Sequence, residues 1–129
     1  MRVELPWRVP PLRANDRRSW PAQHRAFQQA LTEARWAVRA ANLSPVVGAN
    51  VTLHYRPKNK QRQDADGIAP TLKPCLDALV LEGVLPDDSW IHVTRTAQEF
   101  HEPNGEPAAL WLTLTPPDGE EFQTWGGVA

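Results

Sequence analysis

Residues 2–9 alternate, with Val3, Leu5, Trp7 and Val9 on one side and Arg2, Glu4, Pro6 and Arg8 on the other. A period of two predicts a strand with one buried face. Pro6 has no N–H to give to a ladder, so this strand is expected at a sheet edge. Pro10-Pro11 ends it, and a polar loop with Arg13, Asn15, Asp16, Arg17 and Arg18 follows. The period then changes. Phe27, Leu31, Ala34, Val38 and Ala41 recur at steps of four and three, the apolar stripe of a helix. Ser19 is placed to cap its start, Pro21 sits in its first turn and Asn42 closes it. Arg25, Arg35 and Arg39 fall off the stripe.

Alternation returns at 49–56, where Val51, Leu53 and Tyr55 oppose Thr52, His54 and Arg56. A basic loop through Lys58, Lys60 and Arg62 leads to Asp64-Ala-Asp66-Gly67. Leu72, Cys75, Leu76, Leu79 and Val80 then step at helical spacing, with Gly83 at the C-terminus; if Thr71 caps this helix, Pro74 lies within its first turn and is tolerated. After the turn Pro86-Asp87-Asp88-Ser89, residues 90–100 and 108–115 read as two strands, and Asn104-Gly105 between them is a hairpin signal. The order β-α-β-α-β-β predicts a single α+β domain over 1–115, with a mixed sheet and two helices. Residues 116–129 form an irregular tail, in which Phe122 and Trp125 either fold back or cover a partner.

At 129 residues the chain has room for one core. No apolar run reaches the roughly 20 residues that span a bilayer, nor does the N-terminus carry the apolar run of a signal peptide. With a single cysteine, Cys75, on an apolar stripe, the expectation is a cytoplasmic protein without membrane contact. The net charge of −1 conceals two opposed halves. Residues 1–62 hold twelve Lys and Arg against three acids, and residues 63–129 hold two against twelve. A basic half suits a phosphate backbone, and an acidic half suits a divalent cation.

The acids carry the candidate chemistry. On an extended chain, Asp64 and Asp66 would point the same way, roughly 6–7 Å apart at Cα. Like charges so placed favour a cation between them, and magnesium prefers carboxylate oxygen. Asp88 is the expected third ligand, with adjacent Asp87 ranked behind it. Lys73, near a helix start, is suited to hold a scissile phosphate or orient attacking water, and Asp77 at i+4 to steer it. For any one of these groups, a solvated loop or an ordinary helix pair is the competing reading. Arg17, Arg18, Lys58, Lys60 and Arg62 are candidate phosphate contacts. His24, His54, His92 and His101 lack zinc-finger spacing, so zinc is not expected. A phosphate-cradling Gly-rich loop and G-x-S-x-G are both missing, so neither a nucleotide cofactor nor serine catalysis is expected. Trp7, Trp20, Trp90 and Trp111 are expected to pack rather than stack on bases.

The stretch from Gln63 to Ser89, with Asp64-Ala-Asp66, Lys73, Asp77-Ala-Leu, Gly83 and Asp87-Asp88, resembles the signature of RusA-like Holliday junction resolvases. Leu5-Pro6-Trp7 with Pro10-Pro11 is similar to the family's N-terminal strand. The sequence departs from the pattern at Gly67, where the family shows Asn, in three extra residues around Ile68-Ala-Pro70, and at Trp90. The resemblance implies a homodimeric, magnesium-dependent endodeoxyribonuclease, with manganese as a substitute metal. Such an enzyme nicks four-way junctions symmetrically in DNA recombination and repair, and its origin is cellular, phage or prophage. By the same resemblance, Asp64, Asp66 and Asp88 bind metal and Lys73 is catalytic. Two rival expectations stand beside it: a DNA-binding module of the same fold that has lost catalysis, and a metal-dependent nuclease for other branched DNA.

Overall fold

The computed structural model describes residues 1–117, 119 and 121–124. Its elements run β1 (Arg2–Glu4), α1 (Trp20–Ala41), β2 (Ala49–Arg56), α2 (Ala69–Leu81), β3 (Val93–Phe100) and β4 (Ala109–Thr115). The four strands form one mixed sheet in the order β1-β4-β2-β3. β4 runs antiparallel to both β1 and β2, and β3 runs parallel to β2. Among the described residues, no helix is long and apolar enough to cross a membrane.

The apolar alternation decides which face is covered. Val51, Leu53 and Tyr55 lie opposite Leu114, Leu112 and Leu110, and Val3 joins the row opposite Leu112. All seven are buried in one core with Ala30, Ala34 and Val38 of α1 and Leu72, Cys75, Ala78 and Leu79 of α2. Both helices therefore cover the same face of the sheet, a two-layer arrangement. Burial pushes the Cys75 thiol pKa well up, so it packs as an inert apolar group. The opposite face carries the other register, with Thr52, His54 and Arg56 against Thr113, Trp111 and Ala109.

The first helix has the predicted ends. Ser19 Oγ accepts from the Ala22 N–H, and Asn42 adopts a left-handed φ of 52°. β1 is the predicted edge strand but stops at Glu4, well short of residue 9. Pro6 interrupts the ladder soon after Leu5 N–H reaches the Leu110 carbonyl at 3.1 Å, and Val9 is left exposed.

The predicted hairpin is corrected. β3 and β4 do not pair; β2 lies between them. The reason is polarity. Only Val93 of β3 is buried, so its Thr, Arg, Gln and Glu side chains suit an edge, whereas Leu110, Leu112 and Leu114 of β4 need the interior. Asn104-Gly105 still makes a local turn, with Gly105 at φ +84° and Asn104 Oδ1 accepting from Glu106 N–H.

The second helix is also corrected at its start. It begins at Ala69, so Pro74 lies inside it rather than in the first turn, and Thr71 is no cap. Thr71 is fully buried, and its Oγ1 accepts from Leu12 N–H at 3.1 Å and donates to the Leu12 carbonyl at 2.7 Å. This pair of hydrogen bonds ties the loop after β1 to α2. Thr71→Val keeps the shape but strands both Leu12 groups, so urea unfolding should show a loss of about 2–3 kcal/mol. Thr71→Ser should recover most of it, and an unchanged midpoint for Thr71→Val would show that the clamp contributes nothing.

α2 ends as predicted. Gly83 takes φ +79°, its N–H reaches the Val80 carbonyl, and Val84 N–H reaches the Leu79 carbonyl at 2.8 Å. In the tail, Phe122 folds back against the core and Val47 N–H donates to the Gln123 carbonyl. Trp125 lies outside the described residues.

Candidate active site

Asp64 to Gly67 is a turn, not an extension of the strand. Gly67 N–H donates to the Asp64 carbonyl at 3.0 Å, and Ala69 N–H to the Asp66 carbonyl at 3.1 Å. The period-two argument for parallel carboxylates therefore does not hold here. Asp64 and Asp66 both line an open cleft of about 320 Å³, with Arg13, Asn15, Arg62 and Gln63. The opposite wall is fastened by Ala14 N–H to the Gly67 carbonyl at 3.0 Å and by Arg13 Nη1 to Gln63 Oε1 at 3.0 Å. The Thr71 clamp on Leu12 holds the same wall from below. A Cβ on Gly67 would stand 3.1 Å from the Asp64 carbonyl oxygen.

The second group is Lys73, Asp77 and Asp88. Lys73 Nζ donates to Asp77 Oδ1 at 2.8 Å and to Asp88 Oδ2 at 2.7 Å. The first pair is one helical turn apart. The second joins residues fifteen apart in sequence, because the Gly83 cap turns the chain and buried Val84 and Leu85 anchor it. The bonds to Asp77 and then Asp88 raise the Lys73 pKa above the ordinary lysine value. The amine is therefore a fixed positive charge at neutral pH and not a proton acceptor. Asp87 faces elsewhere. Its Oδ1 accepts from Ser89 N–H at 2.8 Å, and hydrogen bonding to Ser89 lowers its pKa.

Arg13 connects the two groups. It lines the Asp64–Asp66 cleft and also a cleft of about 360 Å³ shared with Lys73, Asp16, Trp20 and Phe27. The carboxylates of Asp64, Asp66 and Asp88 are nevertheless not drawn into one cluster with ligand atoms within 4.8 Å of one another. Of the candidate phosphate contacts, Arg18 grips Asp16 through two nitrogens, which holds that carboxyl down to about 2. Lys60 pairs with Glu102 at 3.2 Å. Arg17, Lys58 and Arg62 are exposed and have no ion pair among the described residues. Trp7 and Trp111 pack as expected, but Trp20 and Trp90 do not, at 72% and 81% exposed. Trp20 borders the Lys73 cleft, and Trp90 follows Asp88 by two residues.

The described residues do contain one group able to hold a metal ion, and it lies elsewhere, on the uncovered face of the sheet. It consists of His54, Glu99 and His101, whose ligand atoms all lie within 4.8 Å of one another. Local histidine spacing gave no sign of it. The parallel register sets His54 of β2 beside Glu99 of β3, and His101 N–H continues the pairing to the Tyr55 carbonyl at 2.9 Å. The one sequence signal was the Glu99-x-His101 alternation, legible only once that pairing is known.

Compared with protein-family models, the chain matches none, and curated proteins offer no significant match either.

Proposed function

We propose that the protein is a structure-selective DNA endonuclease that cuts four-way junctions, a dimeric nuclease of the RusA-like type that its sequence resembles. The observation that carries this reading is the contact between Lys73 and Asp88 across fifteen residues, with Lys73 in a cleft that shares Arg13 with the one lined by Asp64 and Asp66. Exposed carboxylate oxygens are the donors magnesium prefers, one or two carboxylates with waters completing the shell. Asp64 and Asp66 would hold it, joined by Asp88 as Lys73 exchanges that carboxylate for a substrate phosphate. Bound there, magnesium would supply charge neutralisation and an acidified water.

The chain's own part is electrostatic. Lys73, kept charged beside Asp77, meets the negative charge that grows on phosphorus oxygens. Arg13 and Arg62 line the cleft and, with Arg17 and Lys58, neutralise flanking phosphates without reading sequence. Trp20 and Trp90 offer exposed aromatic faces to unpaired bases. A two-fold dimer would set two such sites against the near two-fold symmetry of a four-way junction.

A second reading, a junction-binding protein without cleavage, is favoured by the separation of Asp88 from Asp64 and Asp66. A labelled synthetic four-way junction separates the two. Symmetric nicks that require magnesium or manganese and spare linear duplex support the nuclease. Tight binding with no nicks in either metal supports the second reading. Cleavage of flaps in preference to junctions would move the substrate to other branched DNA.

A further inference from the structure

We propose a zinc-class metal site on the uncovered face of the sheet, formed by His54 Nδ1, His101 Nε2 and the Glu99 carboxylate. It is separate from the acidic cleft and does not depend on the nuclease reading.

Its geometry is close to what such an ion needs. The two imidazole nitrogens stand 2.8 Å apart, and Glu99 oxygens lie 3.8 Å from His54 Nδ1 and 3.9 Å from His101 Nε2. Nitrogens about 2.0–2.1 Å from a tetrahedral zinc are about 3.3 Å apart, so each ligand atom needs to move only about 0.5 Å. Two imidazoles and one carboxylate form a donor set suited to zinc, cobalt or nickel and poorly suited to magnesium. A fourth position is left for water.

The surroundings hold the first ligand in place. His54 Nε2 is 2.7 Å from Thr113 Oγ1, and donating that proton leaves the Nδ1 lone pair free for metal. The His54 ring stacks on Trp111 at 5.2 Å with an interplanar angle of 0°, and His101 leans on the same indole at 4.8 Å. Arg2 lies over Trp111 as well, but its charge is paired with Glu4. Glu99 is mostly exposed and His101 partly so, which gives an ion a way in from solvent. Bound metal would pin the end of edge strand β3 to β2.

The test uses the whole protein, stripped with chelator and titrated with cobalt(II) and then zinc(II). One equivalent of cobalt should give the visible bands of a tetrahedral site, and zinc should abolish them. At a hundredfold excess over Kd, zinc should raise the unfolding temperature by about 5–10 °C. Thr113→Val should weaken zinc binding by about 10–100-fold. His101→Ala and Glu99→Gln should remove the bands, while the metal-free variants keep the wild-type circular dichroism. His24→Ala, and Asp64→Asn with Asp66→Asn, should leave the bands intact. Absent bands, or bands that survive both His101→Ala and Glu99→Gln, would overturn the site. The His54–His101 contact would then be a hydrogen bond and nothing more.

Discussion

Lys73→Met should lower four-way junction cleavage by about 10²–10³-fold while junction affinity changes only a few-fold. The magnitude is that of removing one preorganised group aimed at developing negative charge. The side chain is half exposed and makes surface ion pairs, so its loss should change stability by less than about 1 kcal/mol. Loss of activity with an unmoved unfolding curve therefore reports chemistry. Asp77→Asn keeps a hydrogen-bond acceptor beside the amine and should cost about tenfold or less. Because Lys73 stays charged at neutral pH, its titration should not shape the rate profile there. Near wild-type rates in Lys73→Met would remove the lysine from the mechanism.

Asp66→Asn should reduce cleavage by about 10³-fold, the scale of losing a metal's several kcal/mol of charge stabilisation. Junction binding should hold or tighten, because one negative charge leaves the cleft proposed to take phosphate. Asp64→Asn should behave alike, since both acids line one cleft on one turn. Raising magnesium should recover part of the rate if the lost function is metal affinity. Full activity in Asp66→Asn at ordinary magnesium would place the metal elsewhere. Unlike the lysine variant, these two substitutions touch no ion pair among the described residues, so the paired experiments separate metal loading from charge stabilisation.

The sequence by itself determined the elements. The stripe from Phe27 to Ala41, the Ser19 and Asn42 caps, the alternation over 49–56 and the Gly83 terminus all act through contacts within a few residues, and each appears where expected. The mixed α+β sheet followed from their order. The Lys73–Asp77 pair is local too, one helical turn on α2. Tertiary structure alone decided what depends on partners distant in the chain. It set β2 between β3 and β4, because burying Leu110, Leu112 and Leu114 outweighs the local signal of Asn104-Gly105. It turned Thr71 from a presumed cap into a buried clamp on Leu12, fifty-nine residues away. It left Trp20 and Trp90 in solvent, and it brought His54, Glu99 and His101 to one point through a parallel register that no local period encodes. Periodicity reports which face a side chain takes; which strand lies alongside is fixed only by the competition of whole surfaces for burial.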